Sequence, residues 1–206
     1  MEGDGVMNPV LTIGERLFPL RGIVWGSVAV VLLIFARSTP VTFMLGVMLI
    51  GSGEALRVWG AGHIREYRGP FKSVRVLVTS GPYAYIRNPL YIANGIIGCG
   101  IVLLSGIYWF LPGFAALFAL IYIPIVQAEE AYLTGRFGEE YRNYCRRVPR
   151  FLPRLSPQRF PEGGWSWPVV RSCEYQTWLT LAGLVTLFLL RYLGAFRLIG
   201  RLILGL

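Results

Sequence analysis

Apolar residues fill several long stretches of the chain with little interruption, and polar residues collect between them. The runs cover roughly 17–36, 41–61, 91–108 and 109–127, each near the about 20 residues a helix needs to cross a bilayer, and a weaker run covers about 177–195. This pattern predicts an all-α integral membrane protein of about five transmembrane helices. The first run lacks a signal-peptide cleavage pattern and is followed at once by Pro40 and the second run, so a retained helix is expected. RSTP joins runs one and two, and SGIYWFLPG joins runs three and four, where Gly106, Pro112 and Gly113 punctuate the apolar sequence as tight hairpins.

Within the second run, Gly46, Gly51, Gly53, Gly60 and Gly62 form a small-residue face that lets helices approach closely. Glu54 and Arg57 lie on the same helix at i, i+3, a spacing that suits either an ion pair near the inner boundary or a ligand cavity. After the fourth run, Phe137, Tyr141, Tyr144 and Val148 fall on one face while Arg142, Arg146 and Arg147 lie off it. That predicts an amphipathic helix on the inner leaflet, ending near Arg147–Val148 ahead of Pro149. Glu129 and Glu130 sit where the apolar helix is expected to end, against its macrodipole, so a cation should offset them: Arg87, Arg136 or a positively charged ligand. SPQRFPEGGWSWPVVR reads as an interfacial linker. Arg191, Arg197 and Arg201 leave two readings for the C-terminus, one long tilted helix or a short span with an interfacial tail.

Composition agrees with lipid as the solvent: 206 residues, 54% apolar, 15% charged, mean hydropathy +0.54, one domain in size. The net charge of +9 does not point to nucleic acid, because five basic residues fall between His63 and Pro89 and eight between Ala128 and Gln176. Both segments follow an even-numbered run, so they share a side, which the positive-inside rule makes cytoplasmic. Cys99, Cys145 and Cys173 have no metal spacing and are expected as free thiols. His63 is the only histidine, a capping or surface group or a catalytic one, and no second histidine or cysteine pair completes a zinc site.

LVTSGPYAYIRNPLY, followed some forty residues later by EEAYLTGRFGEEYRNYCRRVPRFLP, resembles the membrane-embedded isoprenylcysteine carboxyl methyltransferases and phospholipid methyltransferases. The shared pattern is roughly Gly-x-Tyr, Arg-His-Pro-x-Tyr, a glutamate pair at a helix end, then Phe-Gly-x-x-Tyr and Val-Pro, over about residues 57–153. The resemblance implies an S-adenosylmethionine site without a Rossmann fold, open to the cytoplasm, with the acceptor arriving from lipid. In agreement, no Gly-x-Gly-x-x-Gly opens a helix after a strand. It also implies one domain over 1–206, with helices one and two in 1–61, a cofactor-binding core in 62–153, and a linker and C-terminal membrane helix in 154–206.

Carried over by position, the cofactor contacts are Leu77, Val78, Tyr83, Asn88, Pro89, Tyr91 and a glutamate of the pair Glu129–Glu130, with Gly98 and Gly100 serving either the cofactor or helix packing. Tyr83 and Tyr91 would offer aromatic faces to adenine or the sulfonium, and Arg87 would meet the cofactor carboxylate or a lipid phosphate. An amine acceptor would give its proton to Glu54, Glu129, Glu130 or His63. The chain departs from the family in three places: Asn88 replaces a common histidine, Arg75 replaces another of the isoprenylcysteine branch, and IYIPIVQA lacks that branch's arginine for the acceptor carboxylate. The last departure favours a lipid or other amphiphilic acceptor over a prenylcysteine carboxylate, unless Arg57, Arg75 or Arg87 substitutes. The rival readings are an isoprenylcysteine-type carboxyl O-methyltransferase, an NADPH-dependent reductase of the sterol-reductase type, whose Arg-His-x-Asn-Tyr pattern Arg87–Tyr91 does not match, and a non-enzymatic membrane protein.

Overall fold

A computed structural model describes residues 9–64, 76–158 and 163–194. Arg75, Arg197 and Arg201 lie outside the described residues. The helices are α1 (Pro9–Ile34), α2 (Pro40–Gly62), α3 (Pro89–Ser105), α4 (Leu111–Phe137), α5 (Glu139–Arg147) and α6 (Trp167–Tyr192), with no strand among the described residues. The protein is all-α, as the hydropathy pattern predicts.

Among the described residues, four helical stretches are long and apolar enough to cross a membrane, at Leu11–Ile34, Pro40–Gly62, Tyr108–Phe137 and Trp167–Tyr192. The expected ranking of the runs changes here. The third run forms the shortest of the apolar helices, α3 with 17 residues or about 26 Å, while the weak fifth run belongs to the 26-residue α6. Helix α6 starts ten residues before the apolar run because Glu174, which depresses the hydropathy there, is fully buried against Arg57 of α2. The part of the expected linker from Trp167 onward is therefore helical.

Helices α2 and α3 share the most extensive helix contact among the described residues. A Cβ on Gly46 would stand 2.6 Å from the Leu104 backbone nitrogen and 2.7 Å from the Gly100 carbonyl, and one on Gly53 would stand 2.9 Å from the Ala93 carbonyl. Gly46, Gly53 and Gly60, spaced by seven, form the contact face with α3 and its approach, Gly60 lying against Leu90. Gly51 has nothing within 4 Å and is not part of that face, and Gly62 instead receives the Trp165 ring. Gly46→Ala is accordingly expected to destabilise the detergent-solubilised protein by about 1–3 kcal/mol, because the obstructing atoms are backbone. Gly51→Ala is expected to stay within about 0.5 kcal/mol of the parent in the same thermal melt.

Helix α1 packs on α4, where Trp25 meets Phe114 at 5.3 Å, Phe118 at 5.8 Å and Tyr122 at 6.1 Å between ring centroids. The outward residues are apolar as well, with Ile23 and Leu120 about 70% exposed, as a lipid-facing surface requires. At one end of the bundle the Ser166 amide donates to the Gly62 carbonyl (2.8 Å) and the Arg87 amide to the Pro149 carbonyl (2.9 Å). The segments following α2 and α4 therefore meet on one side.

Two expectations for residues 127–148 change. Helix α4 does not end at the glutamate pair but runs on to Phe137, about two turns further, so the pair lies beyond reach of a terminal dipole. The aromatic face of α5 does not lie on lipid, because Tyr141, Tyr144 and Val148 are at most 3% exposed and pack with Leu77, Leu133 and Phe137. The phenol hydroxyls explain the choice, since Tyr144 reaches a backbone carbonyl of the motif loop that lipid would not supply.

Candidate active site

The loop before α3 is shaped by three residues. Gly81, at φ +61°, makes a turn that a side chain would strain, and the His63 ring lies against it. Pro82 then starts a tight 3₁₀ turn over Gly81–Ala84, and Pro89 opens α3 at a position where no amide hydrogen is needed. The Arg154 amide donates to the Tyr85 carbonyl (3.1 Å), the Gln158 amide to the Ala84 carbonyl (2.9 Å), and the Tyr144 hydroxyl to the Tyr83 carbonyl (2.9 Å). Two motifs forty residues apart in sequence are thus fastened to each other.

The glutamate pair sits at their junction, and its two members differ. Glu130, 8% exposed, receives Arg150 Nη2 at 2.6 Å and Nε at 3.1–3.2 Å, with Arg87 Nη1 at 3.4 Å and the Asn88 amide at 3.4 Å. Hydrogen bonds to Glu130 raise the Arg150 pKa above its ordinary value. Asn88 also donates to the Arg150 carbonyl at 3.2 Å, so its amide joins the two segments. Glu129 is half-buried and accepts from the Tyr91 hydroxyl at 2.7 Å. Tyr91 in turn meets Tyr122 at 5.2 Å, at the edge of the aromatic cluster of α1 and α4.

Of the cations expected opposite the pair, Arg87 is present, Arg136 is exposed, and Arg150 was not anticipated. Arg150 follows the Val-Pro step directly, and that chain reversal is the one sequence signal that turns it back toward the glutamates. Arg87 Nη1 also donates to Cys145 Sγ at 2.7 Å, and its buried Nε has no hydrogen-bond partner among the described residues. Burial pushes the Tyr141 and Tyr144 phenols well above their ordinary range, and the Glu130 charge adds to the shift at Tyr141. Both stay protonated donors.

The remaining site candidates are distributed as follows. Leu77 packs on the Tyr141–Tyr144–Val148 cluster, Val78 is half-buried beside it in sequence, and Pro89 is buried at the start of α3. Gly98 faces the Phe114 ring, and a Cβ on Gly100 would stand 2.8 Å from Ile50, so helix packing accounts for both glycines. His63 caps α2, its Nδ1 3.1 Å from the Ser80 hydroxyl, and burial lowers its pKa with a partial offset from the Gly163 backbone.

Glu54 and Arg57 belong to a second group. Arg57 lies 3.5 Å from Glu54, as their spacing allows, but its stronger partner is Glu174 of α6, which receives Nε at 3.0 Å and Nη2 at 2.6 Å. Asn94 and Thr177 also accept from Arg57, and Trp178 donates to Glu54 at 2.8 Å. Glu174 was missed by sequence reasoning because it falls between the expected linker, which ends at Arg171, and the weak apolar run from about 177, and no spacing ties it to Arg57.

Residues 41–140 match the family described as phospholipid methyltransferase. The chain is also similar to the cobalt-zinc-cadmium resistance protein CzcN of Cupriavidus metallidurans, 35% identical over 130 residues, 62% of this chain and 56% of that protein. The nickel-cobalt-cadmium resistance protein NccN of Alcaligenes xylosoxydans xylosoxydans is 37% identical over 119 residues, 55% of this chain and 49% of that protein. A protein-S-isoprenylcysteine O-methyltransferase of Schizosaccharomyces pombe is 35% identical over 80 residues, 39% of this chain and 34% of that protein. The chain spans about half the length of the first two of these relatives. No solved structure matches it.

Proposed function

We propose, from the match of residues 41–140 to the phospholipid methyltransferase family, that the protein transfers a methyl group from S-adenosylmethionine to a lipid-like or amphiphilic acceptor. The observation that carries the reading is the junction of the two motifs, where Arg87, Tyr91 and Glu129 come from separate elements to one neighbourhood. The residues fit the cofactor's chemistry. The unpartnered Arg87 Nε is a donor for an amino-acid carboxylate. Glu129 offers a carboxylate to an ammonium, and the Tyr91 ring offers a face to a cation.

The cofactor, when bound, supplies a methyl group on a sulfur already activated by its positive charge. The protein's task is then alignment and exclusion of water, and holding two reactants in attack geometry contributes about 7–11 kcal/mol. An amine acceptor must give up a proton before its nitrogen can attack. Glu129, half-buried and accepting from the Tyr91 hydroxyl at 2.7 Å, is the carboxylate we assign to that proton. The acceptor's lipid tail positions its head through binding energy remote from the reaction. The basic residues on the connections after α2 and α4 support a cytoplasmic placement of this face.

Calorimetry in detergent is expected to give heat for S-adenosylmethionine and for its demethylated product, and none for NADPH. With membranes and labelled cofactor, label is expected in the lipid extract. Absence of heat for either cofactor form on folded protein overturns the reading. Heat for NADPH alone supports the reductase alternative, and label confined to prenylcysteine esters supports the carboxyl O-methyltransferase.

A further inference from the structure

Helix α6 lies outside the segment shared with the family, and it carries a stripe that the methyltransferase reading does not use. Trp167, Arg171, Tyr175 and Trp178 stand at i, i+4, i+8 and i+11, on one face of the helix. With Pro168 and Ser172 they line an open groove of about 660 Å³. Trp167 and Tyr175 are 48% and 57% exposed, and Trp165 stacks on Trp167 at 5.5 Å. The groove lies at the same end of the bundle as the motif junction, because the Ser166 amide and the Trp165 indole bind the Gly62 and Val58 carbonyls of α2.

An aromatic belt at a membrane surface needs no particular arrangement of its rings. Here the arrangement is specific. The Trp178 indole nitrogen donates to Glu54 Oε1 at 2.8 Å, which fixes the ring and sets at its edge a carboxylate that Arg57 also approaches at 3.5 Å. Trp167 lies 6.2 Å from Trp178, the ring planes tilted by 38°. Tyr175, one turn of helix from Arg171, adds a third ring, and Arg171 adds a guanidinium to the same groove. Several aromatic faces around one groove attract a soft, weakly hydrated cation such as a methylated ammonium. A guanidinium alongside suits a phosphate oxygen. One ligand class carries both charges a few atoms apart.

We propose that the α6 groove is a binding site for a phosphocholine-type lipid headgroup, with the phosphate at Arg171 and the methylated ammonium against Trp167, Tyr175 and Trp178. Under the proposed function this is the chemistry of a fully methylated lipid rather than of an unmethylated acceptor. The groove then retains product or resident lipid beside the active site. The inference uses that reading only for this last consequence; the binding itself stands apart from methyl transfer.

The probe is dihexanoyl phosphatidylcholine below its micellar concentration, added to the full-length protein in maltoside detergent and followed by tryptophan fluorescence. The ethanolamine and glycerol counterparts serve as comparisons. Binding of the choline form is expected to be several-fold tighter than that of either comparison. Arg171→Gln and Trp178→Leu are each expected to weaken it about tenfold, whereas the exposed Arg142→Gln leaves it unchanged. Tyr175→Leu alters only an exposed ring and gives the same reading if Trp178→Leu fails to fold. Equal affinity for all three headgroups, or indifference to Arg171→Gln and Tyr175→Leu, overturns the proposal and leaves an ordinary interfacial belt. S-adenosylmethionine calorimetry on the same samples keeps the two ideas apart: cofactor heat without choline selectivity removes this site alone, and the reverse result removes the methyltransferase reading alone.

Discussion

Arg57→Met is expected to cost the folded protein about 3–5 kcal/mol, the range for removing one partner of a buried ion pair. The Glu174 side chain is fully buried and that of Arg57 is 10% exposed, so the carboxylate left behind has no solvent to turn to. Glu54 sits on the same guanidinium at 3.5 Å and aggravates the loss. Because a buried pair replaced whole by apolar groups of similar volume is often neutral, Arg57→Met with Glu174→Leu is expected to recover most of the deficit. Thermal unfolding in detergent, read by tryptophan fluorescence, compares the single and double variants. A single variant that melts with the parent would show that the pair contributes nothing to stability.

Glu130→Gln and Glu129→Gln are expected to separate fold from function, although the two residues are neighbours in sequence. Glu130 holds Arg150 at 2.6 Å and Arg87 at 3.4 Å and so ties the chain after α5 to the loop before α3. Its neutralisation is expected to cost about 3 kcal/mol, the low end for a buried pair, since the Arg150 side chain is 40% exposed and partly screened. Glu129 bonds Tyr91 within reach of the proposed cofactor site. Its neutralisation is expected to weaken S-adenosylmethionine binding at least tenfold, corresponding to about 1.4 kcal/mol, while the apo melting temperature falls by no more than a degree or two. Calorimetry and melting on the same preparations test both. Equal loss of stability in the two variants would refute the division of labour.

The residues whose environment is local were legible from the chain alone. Apolar runs mark helices because a bilayer crossing demands about 20 apolar positions in succession. The pairing of Glu54 with Arg57 was likewise visible, because i, i+3 neighbours share a helix face wherever the helix goes. Pro82 and Pro89 announce a constrained loop by their own backbone chemistry. The two motifs point to one family by their order and spacing, and residues 41–140 match it.

Where charges from different helices meet was decided only by the tertiary structure. Arg57 and Glu174 are 117 residues apart, and no period or propensity connects them; they meet because Gly46 and Gly53 let α2 and α3 close together and α6 docks on α2. For the same reason Glu174, which in sequence lies between the expected linker and the weak apolar run, is in fact the most buried charge of a membrane-length helix. The unequal roles of Glu129 and Glu130 arise in the same way. Adjacent positions on an α-helix point about 100° apart, so one carboxylate reaches Tyr91 while the other reaches Arg150, and which cation stands on each side depends on how the chain folds back after α5. The sequence by itself determined that this chain is helical, lipid-facing and built around two linked motifs, because those properties reside in composition, period and spacing. The tertiary structure alone decided which charges meet within the fold, because that depends on faces brought together from distant parts of the chain.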